Sequence, residues 1–297
     1  MPALSRHFRQ VCEFITVLWA EEGPEMEKEY QDLTVDEVRG FMGNTREDKY
    51  QLVDVRFLDE YEEDHIAGAI LIPVGEIEER ISELSSTKET IVYCLSGKRS
   101  VAASVFIGTH PEFEGKVYNM LGGYLEWDGH YIEDMPNLKV FDMEGSDADL
   151  LYQAMNLEKG AHKFYELVLE QFPNAPFTPV METLVKAEEA HAHMIYKFWE
   201  KSQDNPPSFE SVYASLPGDI LEGGLDFDEL AEKLMQEGTE CQNVVEMAMA
   251  IEFSAYDLYR NMAHLYKDSV MEKHFLSLCQ SEKQHMRIAA EALNNCR

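Results

Sequence analysis

At 297 residues, with 45% hydrophobic and 27% charged positions, the chain is long enough for two globular cores and too apolar to be disordered. Its formal net charge of −31 is spread over both halves, which argues against nucleic acid or an anionic membrane surface as a partner. Five widely spaced cysteines without a C-x-x-C pair argue against a disulfide framework, a zinc knuckle or a rubredoxin-type iron site, and fit a reducing cytoplasm.

Residues 1–31 read as an N-terminal helical extension. The apolar stretch Cys12 to Ala20 is short, is interrupted by Glu13 and lacks a small-residue cleavage pattern, so it is a poor signal peptide. We read residues 4–20 as a short amphipathic helix that serves packing or dimerisation. No run approaches the length needed to span a bilayer. From Leu33 to about Trp127, β-rich runs (Gln51 to Val55, Ile70 to Ile72, Thr90 to Cys94, Lys116 to Met120) alternate with helical stretches, which predicts βα units and a parallel sheet. Residues 32–135 form this first domain. Residues 136–146, opened by Pro136 and Asn137, read as a linker.

Residues 147–297 are helical in pattern. Ser146 and Asp149 resemble a capping box for a helix to about Gln171, and Thr178-Pro179 reads as the cap and first position of a second helix to about Lys201. After a connection rich in proline and glycine, two more helices are predicted at roughly 239–266 and 270–292. Four helices with one long connection make a bundle with a crossover.

The run Ile91-Val92-Tyr93-Cys94-Leu95-Ser96-Gly97-Lys98-Arg99-Ser100 places a cysteine between an apolar strand and a helix. Helix N–H groups, Lys98 and Arg99 converge there and favour the thiolate. Together with Leu52-Val53-Asp54-Val55-Arg56, Glu60-Tyr61, His65-Ile66-Ala67-Gly68-Ala69, Ile72-Pro73 and Leu121-Gly122-Gly123-Tyr124, it resembles the rhodanese family over roughly residues 32–132. The resemblance implies an α/β rhodanese-like fold and a sulfurtransferase in which Cys94 takes up a sulfane sulfur. Arg99 would assist catalysis, while Leu95, Ser96, Gly97, Lys98 and Ser100 would cradle the substrate. The partners would be a small sulfane-sulfur donor and a thiol or cyanide-type acceptor. Four residues separate Cys94 from Arg99, one fewer than the related phosphatases use to hold a phosphate group. Asp54, Arg56, Glu60 and His65 read as scaffold.

Glu-x-x-His occurs twice, at Glu188/His191 and Glu282/His285, and each copy puts both side chains on one helix face. Glu158 and Glu252 precede these glutamates by 30 residues, and every element recurs after 94. Apolar residues three and four positions before each glutamate set all four on core stripes, where unpaired carboxylates would be costly and mutually repulsive. A pair of dications resolves both problems. The ligand set Glu158, Glu188, His191, Glu252, Glu282 and His285 resembles the ferritin-like superfamily, rubrerythrin-type members most closely, which implies an all-α ferritin-like four-helix bundle. Two iron ions, or manganese, would be held for oxygen or peroxide chemistry.

Rubrerythrins carry a further carboxylate one turn after the third-helix glutamate, where this chain has Ala255. With no rubredoxin-type domain, an external electron donor is needed. His193 should face away from the cluster, and His162, one turn beyond Glu158, reads as a residue that supports the ligands or packs, not as a ligand. Tyr165 and Tyr259 are equally core tyrosines or hydrogen-bond donors to the site. A homodimer follows from the superfamily resemblance. The competing readings are a non-catalytic persulfide or redox sensor and an iron-binding protein.

Overall fold

The computed structural model describes residues 30–127, 136–237, 240–293 and 296. They belong to two compact units, residues 1–135 and 136–297, each with its own apolar core. The helix expected over residues 4–20 lies outside the described residues.

The first unit is a five-stranded parallel sheet of β1 (Gln31–Leu33), β2 (Tyr50–Asp54), β3 (Ala69–Leu71), β4 (Glu89–Tyr93) and β5 (Val117–Met120), in the order β1-β5-β4-β2-β3. Its helices are α1 (Val35–Asn44), α2 (Leu58–Glu63), α3 (Ile77–Arg80) and α4 (Lys98–Gly108). Strands β2 and β4 are buried almost throughout because helices cover both faces of the sheet. The two-residue period then sorts their side chains. Leu52, Ile91 and Tyr93 pack with Val38 of α1 and Tyr61 of α2, while Val53, Val92 and Cys94 pack with Ile77 of α3 and Ala103 and Ile107 of α4. Cys94 therefore leaves the sheet on the face that α4 covers. The edge strand β1 is an addition to the predicted strands, since three residues are too few to show alternation.

The second unit contains α5 (Asp147–Gln171), α6 (Thr178–Trp199), α7 (Phe209–Ser215), α8 (Phe227–Glu237), α9 (Cys241–Leu265) and α10 (Val270–Leu293). Ser146 and Asp149 form the predicted capping box of α5. For α6 the cap is Phe177 rather than Thr178, whose hydroxyl instead donates to Phe172 O at 3.0 Å. Ala161, Phe164, Leu184, Val245, Ala248, Ile251 and Ala289 from the four long helices meet in one core. The connection between α6 and α9 holds two helices, α7 and α8, that its prolines and glycines conceal in the sequence. The segment read as a linker buries Phe141 against Phe275, with ring centroids 5.9 Å apart.

Cys241 and Cys296 form a disulfide across 55 residues, a single pair that the spacing of the cysteines does not reveal. The helices α9 and α10 are nearly equal in length and joined by a short turn, which returns the second cysteine to the start of α9. The thiols of Cys94 and Cys279 are buried. Among the described residues, no helix is long and apolar enough to cross a membrane.

Candidate functional site

Cys94 follows the last residue of β4 and is 1% exposed. Gly97 adopts φ +85° and turns the chain into α4, whose unsatisfied first N–H groups open toward the loop. A second turn closes the first. A Cβ on Gly123 would meet Cys94 O at 2.3 Å and Gly97 N at 2.7 Å, and Gly123 has φ +63°, so only glycine allows this approach. Across the gap Tyr124 N donates to Cys94 O at 2.7 Å, and Leu125 N donates to Leu95 O at 3.0 Å.

Arg99 donates from Nη1 and Nη2 to Glu60 at 2.6 and 2.7 Å, a bidentate pair that fixes the guanidinium. Those hydrogen bonds, and beyond them the nearby Cys94 sulfur, raise its pKa and hold it charged. Glu60, read from sequence as scaffold, thus positions the loop's arginine, and Arg99 in turn holds its carboxyl below the usual range. Of the residues expected to cradle the substrate, Leu95, Ser96 and Lys98 are exposed and Gly97 is buried. Ser100 is turned inward: its Oγ lies 2.7 Å from Asn119 Oδ1 and 3.0 Å from Gly97 O, and Asn119 Nδ2 donates to Asp32 Oδ1 at 2.8 Å. Its hydroxyl therefore ties the loop to β5, which corrects the expectation that it meets substrate.

Asp54, Arg56 and His65 are scaffold in the structure as well. Arg56 is buried, donates to Asp54 at 2.9 Å and to Asp64 O at 2.6 Å, and stacks its guanidinium 4.4 Å from the ring centroid of Tyr124. It therefore carries the end of β2 to the turn that closes on Cys94. Burial works against its charge, but the hydrogen bonds and charge of Asp54 outweigh that. His65 stacks on Tyr61 with centroids 3.8 Å apart.

In the second unit Glu158, Glu188, His191, Glu252, Glu282 and His285 are all buried and come together in overlapping groups whose ligand atoms lie within 4.8 Å of one another. The arrangement has two halves. His191 Nδ1 lies 3.2 Å from Glu158 Oε2, and His285 Nδ1 lies 3.1 Å from Glu252 Oε2. Glu188 and Glu282 each reach both imidazoles: Glu188 at 3.7 Å from His191 and 3.3 Å from His285, Glu282 at 3.2 and 3.3 Å. Tyr259 donates to Glu158 at 2.6 Å and Tyr165 to Glu252 at 2.5 Å, so each half has one tyrosine.

Burial pushes Glu188 well above the usual carboxylate range, while the two imidazoles, against the same burial, hold Glu282 below it. Glu282 Oε1 faces His191 Nδ1 at 3.2 Å and Glu282 Oε2 faces His285 Nδ1 at 3.3 Å. Crowded carboxylates beside two imidazoles are a donor set that suits hard or borderline dications, which Glu158, Glu188, His191, Glu252, Glu282 and His285 would hold.

His193 is exposed and packs on Phe209, away from the cluster, with ring centroids 4.7 Å apart. His162 hydrogen-bonds Tyr213 and lies 3.2 Å from Glu166. Glu222 escaped sequence reasoning. It lies within 4.8 Å of Glu158 and Glu188, but sits in a non-helical Leu-Glu-Gly-Gly stretch where no periodicity could assign it a face.

The comparisons with known proteins concern the first unit. A putative sulfur carrier protein, YrkF of Bacillus subtilis, is 36% identical over 83 residues, 28% of this chain and 44% of that protein. The chain therefore spans less than half of that relative's length. The thiosulfate sulfurtransferase GlpE of Coxiella burnetii is 32% identical over 82 residues, 27% of this chain and 73% of the relative. A crystal structure of a rhodanese-like domain protein from Staphylococcus aureus aligns with 23% identity and a TM-score of 0.32, over 35% of this chain and 99% of that one. The pattern of the rhodanese-like domain matches residues 34–130, the stretch that contains the Cys94 turn and its closing glycines, and through that stretch the chain belongs to the rhodanese-like family.

Proposed function

We propose that the chain is a sulfurtransferase whose Cys94 carries the transferred sulfur, joined to a ferritin-like, rubrerythrin-type unit that holds two iron or manganese ions. The Cys94 thiolate attacks the outer sulfur of a donor such as thiosulfate, a new S–S bond forms as the donor's own S–S bond breaks, and sulfite leaves with that bond's electron pair. An acceptor thiolate or cyanide then attacks the terminal sulfur and returns Cys94 as thiolate. No external oxidant is consumed. Arg99, held by Glu60, supplies the fixed positive charge for the anionic donor and persulfide, and the N–H groups at the start of α4 add to it.

The observation that carries this reading is the turn itself, a cysteine at the end of β4 whose four-residue spacing to Arg99 leaves room for a sulfur atom rather than a phosphate group. Incubation with thiosulfate should add one sulfur atom to Cys94 by mass spectrometry, and cyanide should remove it as thiocyanate. An unmodified Cys94, or turnover that survives its replacement, would end the assignment. That pair of steps also separates a transferase from a sensor, which would load sulfur without multiple turnovers.

For the second unit, support comes from Glu188 and Glu282, each reaching both imidazoles. Bound iron would supply redox chemistry toward oxygen or peroxide. The side chains of this chain would hold the ions in a buried core, with Tyr165 orienting Glu252 and Tyr259 orienting Glu158, and the reductant would be an external donor. Metal analysis of the purified protein tests this directly, with two ions per chain expected. A chain that takes up no divalent metal refutes it.

A further inference from the structure

The connection between α6 and α9 brings to the cluster a carboxylate that neither helix repeat supplies. Glu222 is 2% exposed, neither carboxylate oxygen has a hydrogen-bond partner, and its ligand oxygen lies within 4.8 Å of those of Glu158 and Glu188. Burying a carboxylate without a partner carries a large desolvation penalty, and two neighbouring carboxylates add repulsion. Among the described residues, no side chain donates a hydrogen bond to either carboxylate oxygen.

The segment that carries Glu222 is wedged into place. A Cβ on Gly160 of α5 would meet Ile220 O at 2.3 Å, and one on Gly223, at φ +77°, would meet Ser254 Cβ of α9 at 2.4 Å. Two glycines thus permit the chain to pass in contact with both helices. Lys163 Nζ donates to Pro217 O and Gly218 O at 3.0 and 2.9 Å, and Gly218 N donates to Asn156 Oδ1 at 2.8 Å. Leu221 N donates to Leu225 O at 2.8 Å, and Leu221 itself is fully buried. The residue beside Ser254 is the buried Ala255, so α9 presents small side chains where the connection approaches. A backbone held this firmly aims Glu222 inward by construction.

We propose that Glu222 is a seventh protein ligand of the metal centre, delivered by the connection rather than by a helix. The inference rests on the dinuclear reading of the six helix residues. It makes the two metal positions unequal, because the half with Glu158 and His191 gains a carboxylate that the half with Glu252 and His285 lacks. It also assigns a use to the buried charge: a divalent cation replaces the missing hydrogen-bond partners.

Anaerobic titration of the metal-free full chain with Co(II), followed by calorimetry and by the visible d–d absorption, tests it. Wild type should take up two ions per chain. E222Q should keep one and bind the other at least about ten-fold more weakly, with altered d–d bands. E222D, which keeps the charge but shortens the reach, should fall between them. Two ions bound by E222Q with wild-type affinities and bands would overturn the role of Glu222 and leave the dinuclear centre standing. Wild type that binds no Co(II) would overturn both. Metal-free E222Q that melts below wild type and loses both ions would mark Glu222 as structural and overturn the proposal.

Discussion

Cys94 lies on a turn of consecutive residues closed by backbone contacts, whereas the carboxylate cluster gathers side chains from four helices and a connection, spread from Glu158 to His285. In the first region position is set by glycines and main-chain hydrogen bonds, and charge enters through one bidentate pair. In the second, position and charge are the same thing, because each buried carboxylate is tolerable only through what its neighbours do and, on the proposed reading, what a bound cation would do. Substitutions around Cys94, apart from Cys94 itself, should therefore act in graded fashion. Those in the cluster should act by whole ions.

The largest effect is expected at Cys94. C94S removes the only sulfur nucleophile of the turn, so sulfur transfer from thiosulfate to cyanide should fall to background while the circular dichroism and metal content stay at wild type. Metal loss in C94S would break the independence of the two regions. Next come the glutamates. E188A and E282A each remove a carboxylate that reaches both imidazoles, and metal analysis should find neither ion retained. E158A and E252A touch one imidazole each and should keep one ion per chain. Equal losses from all four variants would erase the distinction between carboxylates that reach both imidazoles and those that reach one. H193A, on the exposed side of α6, should lose nothing.

Smaller effects sharpen the same contrast. R99A leaves the backbone cradle intact and removes one fixed charge, so kcat/KM should drop about 10- to 100-fold, roughly 1.4–2.7 kcal/mol of transition-state stabilisation. Y259F deletes the hydroxyl that orients Glu158 and should weaken metal binding by about 10-fold, without changing the number of ions bound at saturation.

What could be read from the sequence divides along the same line. The Cys94 turn is contiguous, so strand, glycine and basic residues appear side by side in the sequence. The repeat after 94 residues likewise marks Glu158, Glu188, Glu252 and Glu282 as facing one core, because helical period converts spacing into direction. Contacts without a period stayed hidden. Glu60 reaches Arg99 across 39 residues, and Ser100 turns to Asn119 because the partner strand, not the loop, decides its rotamer. Glu222 sits in a stretch with no helical register, and the Cys241–Cys296 pair depends on two helix lengths matching. Helices α7 and α8 were concealed because prolines and glycines between short helices look the same as those in a loop.

The smallest expected effect concerns the pair that the sequence hid. Hydrogen bonds from Arg99, rather than burial, hold the Glu60 carboxyl below its ordinary value, and both side chains remain about a quarter exposed. Solvent screening therefore limits the pair, and a double-mutant cycle of E60Q and R99A should give a coupling of about 1 kcal/mol at neutral pH. The sign of its pH dependence follows from the direction of the shift. A depressed carboxylate contributes fully above its unfolded value, about 4.3 for glutamate, and loses that contribution as pH falls through the lower folded value. The coupling measured by chemical denaturation should accordingly be flat from neutral pH down to about pH 5. It should fade below about pH 4, while E60Q shows no such acid-linked loss. A coupling that grows on acidification would mean that Glu60 binds its proton more tightly in the folded protein, and that Arg99 is held by something other than this carboxylate.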